Sequence, residues 1–158
     1  MSERHPDPVI QRILDRNEIH DLVVRYARAL DARDWPLLES CFVPEATYRY
    51  PNGGSSSRVE IIDRCSRALT RLDASQHLLG NIEITVDGDS ARTIVYFQAQ
   101  HVLKGTPGGD CFIIAGSYRD TLSRTADGWK ITNRDQEYFW MDGNPGVVAR
   151  PDSLSVKS

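Results

Sequence analysis

The chain has 158 residues, of which 40% are hydrophobic and 26% are charged, enough for one folded domain with a single core. Its net charge of −3 and its pI near 5.8 argue against a nucleic-acid-binding protein, which usually presents a basic surface. The sequence contains no apolar stretch as long as a membrane span, and its N-terminus lacks the apolar segment of a signal peptide. Three cysteines, far apart in sequence, are typical of reduced thiols, so we expect a cytoplasmic protein.

The first helix is predicted from an apolar repeat. Residues 18–30 carry apolar side chains at i, i+3 and i+4 spacing. Asp15 and Glu18 would form a capping box at its start. Both ends of the chain, residues 1–8 and 143–158, contain prolines and show no periodicity, so we expect a loose N-terminus and a C-terminal tail around a domain of residues 9–142.

Two further helices are expected before the strands. Residues 35–42 follow Asp34, a suitable N-cap, and Pro36 would lie in the first turn. Residues 48–57 indicate the end of a strand followed by a loop. Residues 58–69 predict a third helix. The apolar residues near one side of it are Val59, Ile62, Ala68 and Leu69.

From residue 77 onward the hydrophobic period changes to two, which predicts strands. The four segments are 77–86, 91–103, 110–124 and 128–140. Tight turns are expected at residues 87–90 and 125–128, and an exposed loop at 104–109. Three helices followed by an antiparallel meander form an α+β pattern. A sheet this long, with helices on one side, is expected to curl and enclose a pocket.

Asp31 comes at the end of the first predicted helix, where the peptide dipoles disfavour a carboxylate. Two interpretations are open. Asp31 is either a solvated acid paired with Arg28 or Arg33, which the local sequence favours, or a partly buried acid that orients a histidine.

The four histidines divide into two pairs. His5 and His20 belong to segments expected at the surface, whereas His77 and His101 lie in apolar strand sequence. Strand alternation puts His101 on one face with Val95, Phe97, Ala99 and Leu103. The face of His77 is left open, because Gly80 would introduce a bulge that resets the alternation.

Other chemistry has weak support in the sequence. There is no metal-ligand spacing, phosphate loop or nucleophile elbow. Ser117 lies in a predicted strand, and Cys41 and Cys111 lie in apolar sequence that favours inert packing. Phenol groups that either pack or polarise a carbonyl come from Tyr26, Tyr48, Tyr50, Tyr96 and Tyr138.

Residues 18–50, 73–84 and 116–135 together resemble the SnoaL-like branch of the nuclear-transport-factor-two-like superfamily. Within it they are most similar to the scytalone dehydratase, bile-acid dehydratase and lindane dehydrochlorinase families. The resemblance covers about residues 10–140. It implies a cone-shaped α+β barrel, in which a curved, mixed but mainly antiparallel sheet and three N-terminal helices enclose an apolar pocket.

The resemblance also implies a set of site residues. It pairs Asp31 at the end of the first helix with His77 on the first long strand. Further catalytic positions match His101, Tyr50 and Tyr26, whereas Leu30 replaces the tyrosine that scytalone dehydratase has immediately before the acid. The expected substrate pocket contains Trp35, Phe42, Phe97, Ser117, Tyr138 and Trp140.

The implied activity is that of a cofactor-independent lyase of the dehydratase type. With His77 as general base, oriented by Asp31, it would remove a proton beside a carbonyl and eliminate water from a small cyclic or polycyclic hydroxy-ketone. An isomerase or cyclase using the same proton abstraction, and a non-catalytic ligand-binding or assembly module, are open alternatives. Partners are expected to be a small apolar ring-containing substrate and further copies of the chain, with a trimer favoured over a dimer.

Overall fold

The computed structural model describes residues 7–149. The helices are α1 (Pro8–Ala32), α2 (Trp35–Glu39) and α3 (Arg58–Leu69). The strands are β1 (Phe42–Tyr50), β2 (Gly53–Ser55), β3 (Ala74–Asp87), β4 (Ser90–Val102), β5 (Cys111–Thr125) and β6 (Gly128–Gly143). A 3-10 turn at Pro145–Val147 follows. The predicted α+β class is confirmed.

Helix α1 begins ten residues before the apolar repeat, and Asp7 caps it by accepting a hydrogen bond from the Val9 amide at 2.8 Å. The predicted capping box is therefore wrong. Asp15 is buried inside α1, where it accepts hydrogen bonds from Arg124 at 2.6 and 2.9 Å and from the Trp129 indole at 3.3 Å. The early part of α1 presents mostly exposed side chains, so an apolar repeat marks only the part of the helix that packs on the core.

Helix α3 lies where predicted, whereas α2 begins as predicted but ends at Glu39, and the predicted last helical residue, Phe42, begins β1. Asp34 caps α2, because its carboxylate accepts the Leu37 amide at 3.0 Å. The buried residues of α3 are Ile61, Cys65 and Leu69. The predicted face of α3 is wrong for Val59 and Ala68, which are exposed, because the i, i+4, i+8 row of the helix is the one that meets the core.

The six strands form one mixed sheet in the order β2-β1-β6-β5-β4-β3. Strand β1 pairs in parallel with β6, and every other neighbouring pair is antiparallel. Residues 53–55, expected in a loop, form the short edge strand β2. The sheet is curled but not closed into a full barrel, and α1 packs across β3 at the opposite edge.

Irregular pairing decides which side chains point inward. In β3 the register shifts between Gly80 and Glu83, and Asn81 adopts a positive φ of 46°. Half-buried positions are odd-numbered before this bulge and even-numbered after it. The expectation of a bulge at Gly80 is therefore confirmed, and it leaves His77 on the inward face.

The described part of the C-terminal tail is packed against the domain. Val147 is fully buried, and the Arg71 guanidinium donates to the carbonyls of Val147 and Ala149, each at 2.6 Å. Residues 150–158, like His5, lie outside the described residues. Cys41 is buried as expected, but Cys111 is exposed at the start of β5. Between residues 7 and 149, no helix has both the length and the apolar character needed to cross a membrane.

Candidate active site

Asp31 and His77 form a hydrogen-bonded pair. Oδ1 of Asp31 lies 2.7 Å from Nδ1 of His77, and Oδ2 accepts the His77 backbone amide at 2.8 Å. Because an ionised carboxylate only accepts, Nδ1 carries a proton, and in the neutral form of the ring the free lone pair is on Nε2. Of the two interpretations from sequence, the structure shows the partly buried acid; Arg33 donates to the backbone carbonyl of Asp31 and not to its carboxylate.

The electrostatic balance at Asp31 favours the charged form. Burial raises the pKa of Asp31, but the hydrogen bonds from His77 and Ser75, with the positive charge of the His77 ring when it is protonated, outweigh burial, so the pKa lies below its usual value. The His77 side chain is only 6% exposed, against 27% for Asp31. Proton transfer at the imidazole would therefore take place largely out of contact with bulk water.

Strand β3 positions His77 at the free edge of the sheet. His77 pairs with Ala99 on β4, and its amide points away from β4, towards Asp31. The last turn of α1 therefore covers the edge of the sheet here and supplies the hydrogen-bond acceptor that a neighbouring strand would otherwise provide.

His101 lies beside this pair on the same inner face. Its ring centroid is 6.0 Å from that of His77, with the rings nearly perpendicular. Nδ1 of His101 lies 3.3 Å from the Phe112 carbonyl, which only accepts, so Nδ1 is protonated and Nε2 is an acceptor. Burial, with His77 nearby, lowers the pKa of His101 to about 4, so the ring is neutral at pH 7.

A buried guanidinium forms a second polar centre. Arg134 on β6 is fully buried and donates to both carboxylate oxygens of Asp120 at 2.6 Å. Its Cζ lies 3.9 Å from the Tyr26 ring centroid and 4.2 Å from that of Tyr118. Among the described residues, Nη1 of Arg134 has no hydrogen-bond partner. This is a buried cation, held between aromatic faces, with one donor group unused.

Phenol groups surround this cation. The hydroxyls of Tyr26 and Tyr48 are 3.5 Å apart, and Tyr48 donates to Gln136 at 3.1 Å. Burial raises the pKa of Tyr26 to about 12, so its phenol stays protonated. Tyr26 and Asp31 are five residues apart on α1, about 7.5 Å along the helix axis. Asp31, which contacts His77, and Tyr26, which packs on Arg134, are therefore carried by one helix, about 1.4 turns apart.

Tyr50 lies beside Tyr48, one of the tyrosines near Arg134. Its ring stacks on Tyr48 with centroids 3.8 Å apart, and the Arg64 guanidinium lies 3.9 Å from its centroid. Its hydroxyl is buried, and no group among residues 7–149 meets it with hydrogen-bond geometry. Burial raises the pKa of Tyr50, so it also remains a neutral donor.

Three of the predicted pocket residues face the interior. Phe42 packs edge-on against Tyr26 at 5.9 Å, and Phe97 stacks on Tyr118 at 4.3 Å. Tyr138 is half-buried against the same core. These three aromatic side chains therefore belong to the core around Tyr26 and Tyr118.

The other three predicted pocket residues lie elsewhere. Ser117 pairs with Tyr96, so the register places it on the outer side of the sheet, where its side chain is nevertheless fully buried. Trp140 is 47% exposed and is on that outer face too, because the β5–β6 register shifts between Ala115 and Gly116. The register therefore places Ser117 and Trp140 on the side of the sheet opposite to His77. Trp35 is half-buried and lines a separate depression of about 330 Å³ between α2 and α3.

Sequence reasoning missed the Arg134–Asp120 pair. Ile131 is buried, so simple alternation would point Asn133 inward and Arg134 outward. A register shift between residues 121 and 122 of the partner strand reverses this, and Arg134 turns inward opposite Asp120. Such a shift leaves no mark in the amino-acid pattern.

Residues 11–135 match the family described as the SnoaL-like domain. The chain belongs to this family. An uncharacterised protein of Mycobacterium tuberculosis (strain ATCC 25618 / H37Rv) is 34% identical over 127 residues, which span 79% of this chain and 86% of the relative. The resemblance seen in the sequence is thereby confirmed.

Solved structures share the fold of the nuclear-transport-factor-two-like superfamily. A candidate scytalone dehydratase from Novosphingobium aromaticivorans DSM 12444 superposes with a TM-score of 0.79 at 20% identity, covering 95% of this chain and 99% of that one. A hexachlorocyclohexane dehydrochlorinase (LinA), type 2, superposes with a TM-score of 0.76 at 19% identity, covering 92% and 99%. At these identities the similarity concerns the fold alone.

Proposed function

We propose that this SnoaL-like protein is a cofactor-independent lyase that dehydrates a small ring-containing hydroxy-ketone. The observation that carries the proposal is the Asp31–His77 pair, in which a buried imidazole has one nitrogen held by a carboxylate and the other without a hydrogen-bond partner among residues 7–149. A fold shared with structures named for dehydratase and dehydrochlorinase activities supports an elimination or isomerisation.

The proposed first step is removal of a proton beside the substrate carbonyl. Nε2 of His77 takes the proton, and the C–H electron pair moves into an enolate. Asp31 keeps the imidazole in the tautomer with a free Nε2 and stabilises the imidazolium that forms. Positioned general bases of this kind contribute about 10²–10⁴ in rate.

The cationic centre suits the developing negative charge. Arg134 has an unused N–H, and Tyr26 is a neutral buried phenol beside it. Donors held in a buried aromatic interior stabilise an oxyanion more strongly than they would in water. We therefore orient the substrate with its carbonyl oxygen towards Arg134 and its acidic C–H towards His77.

Loss of water completes the proposed reaction. The enolate re-forms the carbonyl, a C=C bond forms, and the C–O bond breaks. The leaving oxygen takes the proton held on Nε2 of His77 and departs as water, which restores the neutral base. His101 is neutral, and its only N–H is directed at Phe112, so it is suited to accept a hydrogen bond from the substrate hydroxyl and not to protonate it.

An isomerisation or cyclisation uses the same base and oxyanion site and differs only in the fate of the enolate. Retention of the C–O bond would indicate one of these reactions. A non-catalytic binding module would need neither the free Nε2 nor the unused guanidinium donor, and the presence of both favours an enzyme.

The test is turnover of a panel of cyclic hydroxy-ketones, with loss of one water followed by mass spectrometry. His77→Ala is compared with His20→Ala, because His20 is an exposed histidine on α1. We expect turnover by the wild type and by His20→Ala, and its loss in His77→Ala. Equal turnover in all three proteins would remove His77 from the mechanism, and binding without any turnover would support the non-catalytic module.

A further inference from the structure

The Asp31 carboxylate accepts a third hydrogen bond, from outside the dyad. Oγ of Ser75 donates to Oδ1 at 3.3 Å, the same oxygen that lies 2.7 Å from Nδ1 of His77. With the His77 amide on Oδ2, three donors define the orientation of the carboxylate. Two of the three come from side chains of β3.

The strand register explains how Ser75 reaches this position. Ser75 precedes His77 by two residues on β3, so both side chains point to the inner face. Its partner on β4 is His101, and paired side chains in an antiparallel sheet lie about 5 Å apart at Cβ. Ser75 therefore borders both histidines and lies against the end of α1.

A hydroxyl donor on Oδ1 has two physical effects. It restricts rotation of the carboxylate, which otherwise turns about its Cβ–Cγ bond. It also stabilises the ionised form, as hydrogen bonds to a charged acceptor do. Both effects act on His77 indirectly, because the carboxylate that Ser75 holds is the one that orients Nδ1.

We propose that Ser75 is a positioning residue: its hydroxyl holds the Asp31 carboxylate ionised and aligned with Nδ1 of His77. The contact with Asp31 stands on geometry alone, and the consequence for turnover rests on the proposed function of His77 as the base. Ser75 itself does not touch the reacting atoms in this scheme.

The test uses the full chain in four forms: wild type, Ser75→Ala, Ser75→Thr and Ser90→Ala. Threonine keeps the hydroxyl and suits a strand. Ser90 is an exposed serine at the start of β4, at the far end of the β3–β4 hairpin, and serves as the matched control. The carboxyl carbon of Asp31 is followed by NMR as the pH is lowered.

We expect the titration midpoint of Asp31 to rise by about 0.5 pH unit in Ser75→Ala, because one donor to the ionised form is lost. The midpoint should return towards the wild-type value in Ser75→Thr and stay unchanged in Ser90→Ala. On a hydroxy-ketone that turns over, kcat should fall about threefold in Ser75→Ala with little change in KM, since alignment and not substrate binding is affected.

An unchanged Asp31 midpoint in Ser75→Ala, or an equal rise in Ser90→Ala, would overturn the proposal. The NMR measurement does not depend on catalysis. A shifted midpoint in a protein that turns over no hydroxy-ketone would leave Ser75 as a partner of Asp31 and reject the proposed function. Turnover of a hydroxy-ketone without a shifted Asp31 midpoint in Ser75→Ala would reject the role of Ser75 and leave the proposed function in place.

Discussion

His101 makes the stability of this fold sensitive to mild acid. Its pKa is lowered from 6.5 to about 4 by burial, with the neighbouring His77 adding to the effect. Because the folded-state pKa is depressed, the stability is fully present above pH 6.5 and is lost as the pH falls towards 4. At pH 5 nearly every unfolded chain carries this proton, but only about one folded chain in ten does. Integration from pH 8 to pH 5 gives a loss of about 2 kcal/mol in the free energy of unfolding from this one side chain.

The perturbation that tests this is His101→Asn, because the asparagine amide can replace Nδ1–H as the donor to Phe112. Urea unfolding at pH 8 and pH 5 measures the change within each protein, so any fixed cost of the substitution cancels. The pKa values of Asp15 and Asp31 are lowered, so these acids contribute little in this range. His20→Asn, at an exposed histidine, should behave as wild type. If wild type and His101→Asn lose equal stability between the two pH values, the reasoning is refuted.

Three further predictions concern other parts of the molecule. Asp31→Asn should lower kcat/KM on a hydroxy-ketone by about a thousandfold or more, because an amide no longer fixes the His77 tautomer; activity within tenfold of wild type would contradict the dyad. Hydrogen bonds from Arg124 hold the pKa of Asp15 at about 2 despite its burial, so Asp15→Asn should cost about 2 kcal/mol in urea unfolding at pH 7 and much less at pH 2. An equal loss of stability in Asp15→Asn at pH 7 and at pH 2 would contradict this prediction. We propose that copies of the chain associate through the outer sheet face, where Trp140 is 47% exposed. Trp140→Glu should then lower the mass of the protein measured by light scattering. An unchanged mass would reject this interface.

Elements whose buried side chains recur with the period of a helix or a strand could be predicted from sequence. The four long strands and the capped helix after Asp34 are examples, because period-two alternation and an N-cap are local signals. The first turns of α1 were not predicted, because they extend past the core and carry no apolar stripe. Asp15 was interpreted as a cap for the same reason. Strand β2 was missed because three residues, two of them glycines, carry no strand signal.

The same distinction separates the residues of the candidate site that could be predicted from sequence from those that could not. Asp31, His77 and His101 were found because polar residues in apolar surroundings stand out, and because the family resemblance pairs the first two. Arg134 was missed because a register shift reverses its side, and the same kind of shift turned Trp140 outward. Sequence periodicity assumes an uninterrupted ladder, so it fails wherever a strand is bulged.

The contact between the end of α1 and the edge of β3 protects the sheet edge as well as orienting His77. The carboxylate of Asp31 occupies a backbone amide that would otherwise be open to a strand from another molecule. Removing this carboxylate would leave the His77 amide at the sheet edge without its acceptor. Asp31→Ala should therefore precipitate more readily than His77→Ala, which leaves that backbone contact in place, and more readily than Asp31→Asn, which keeps an acceptor oxygen.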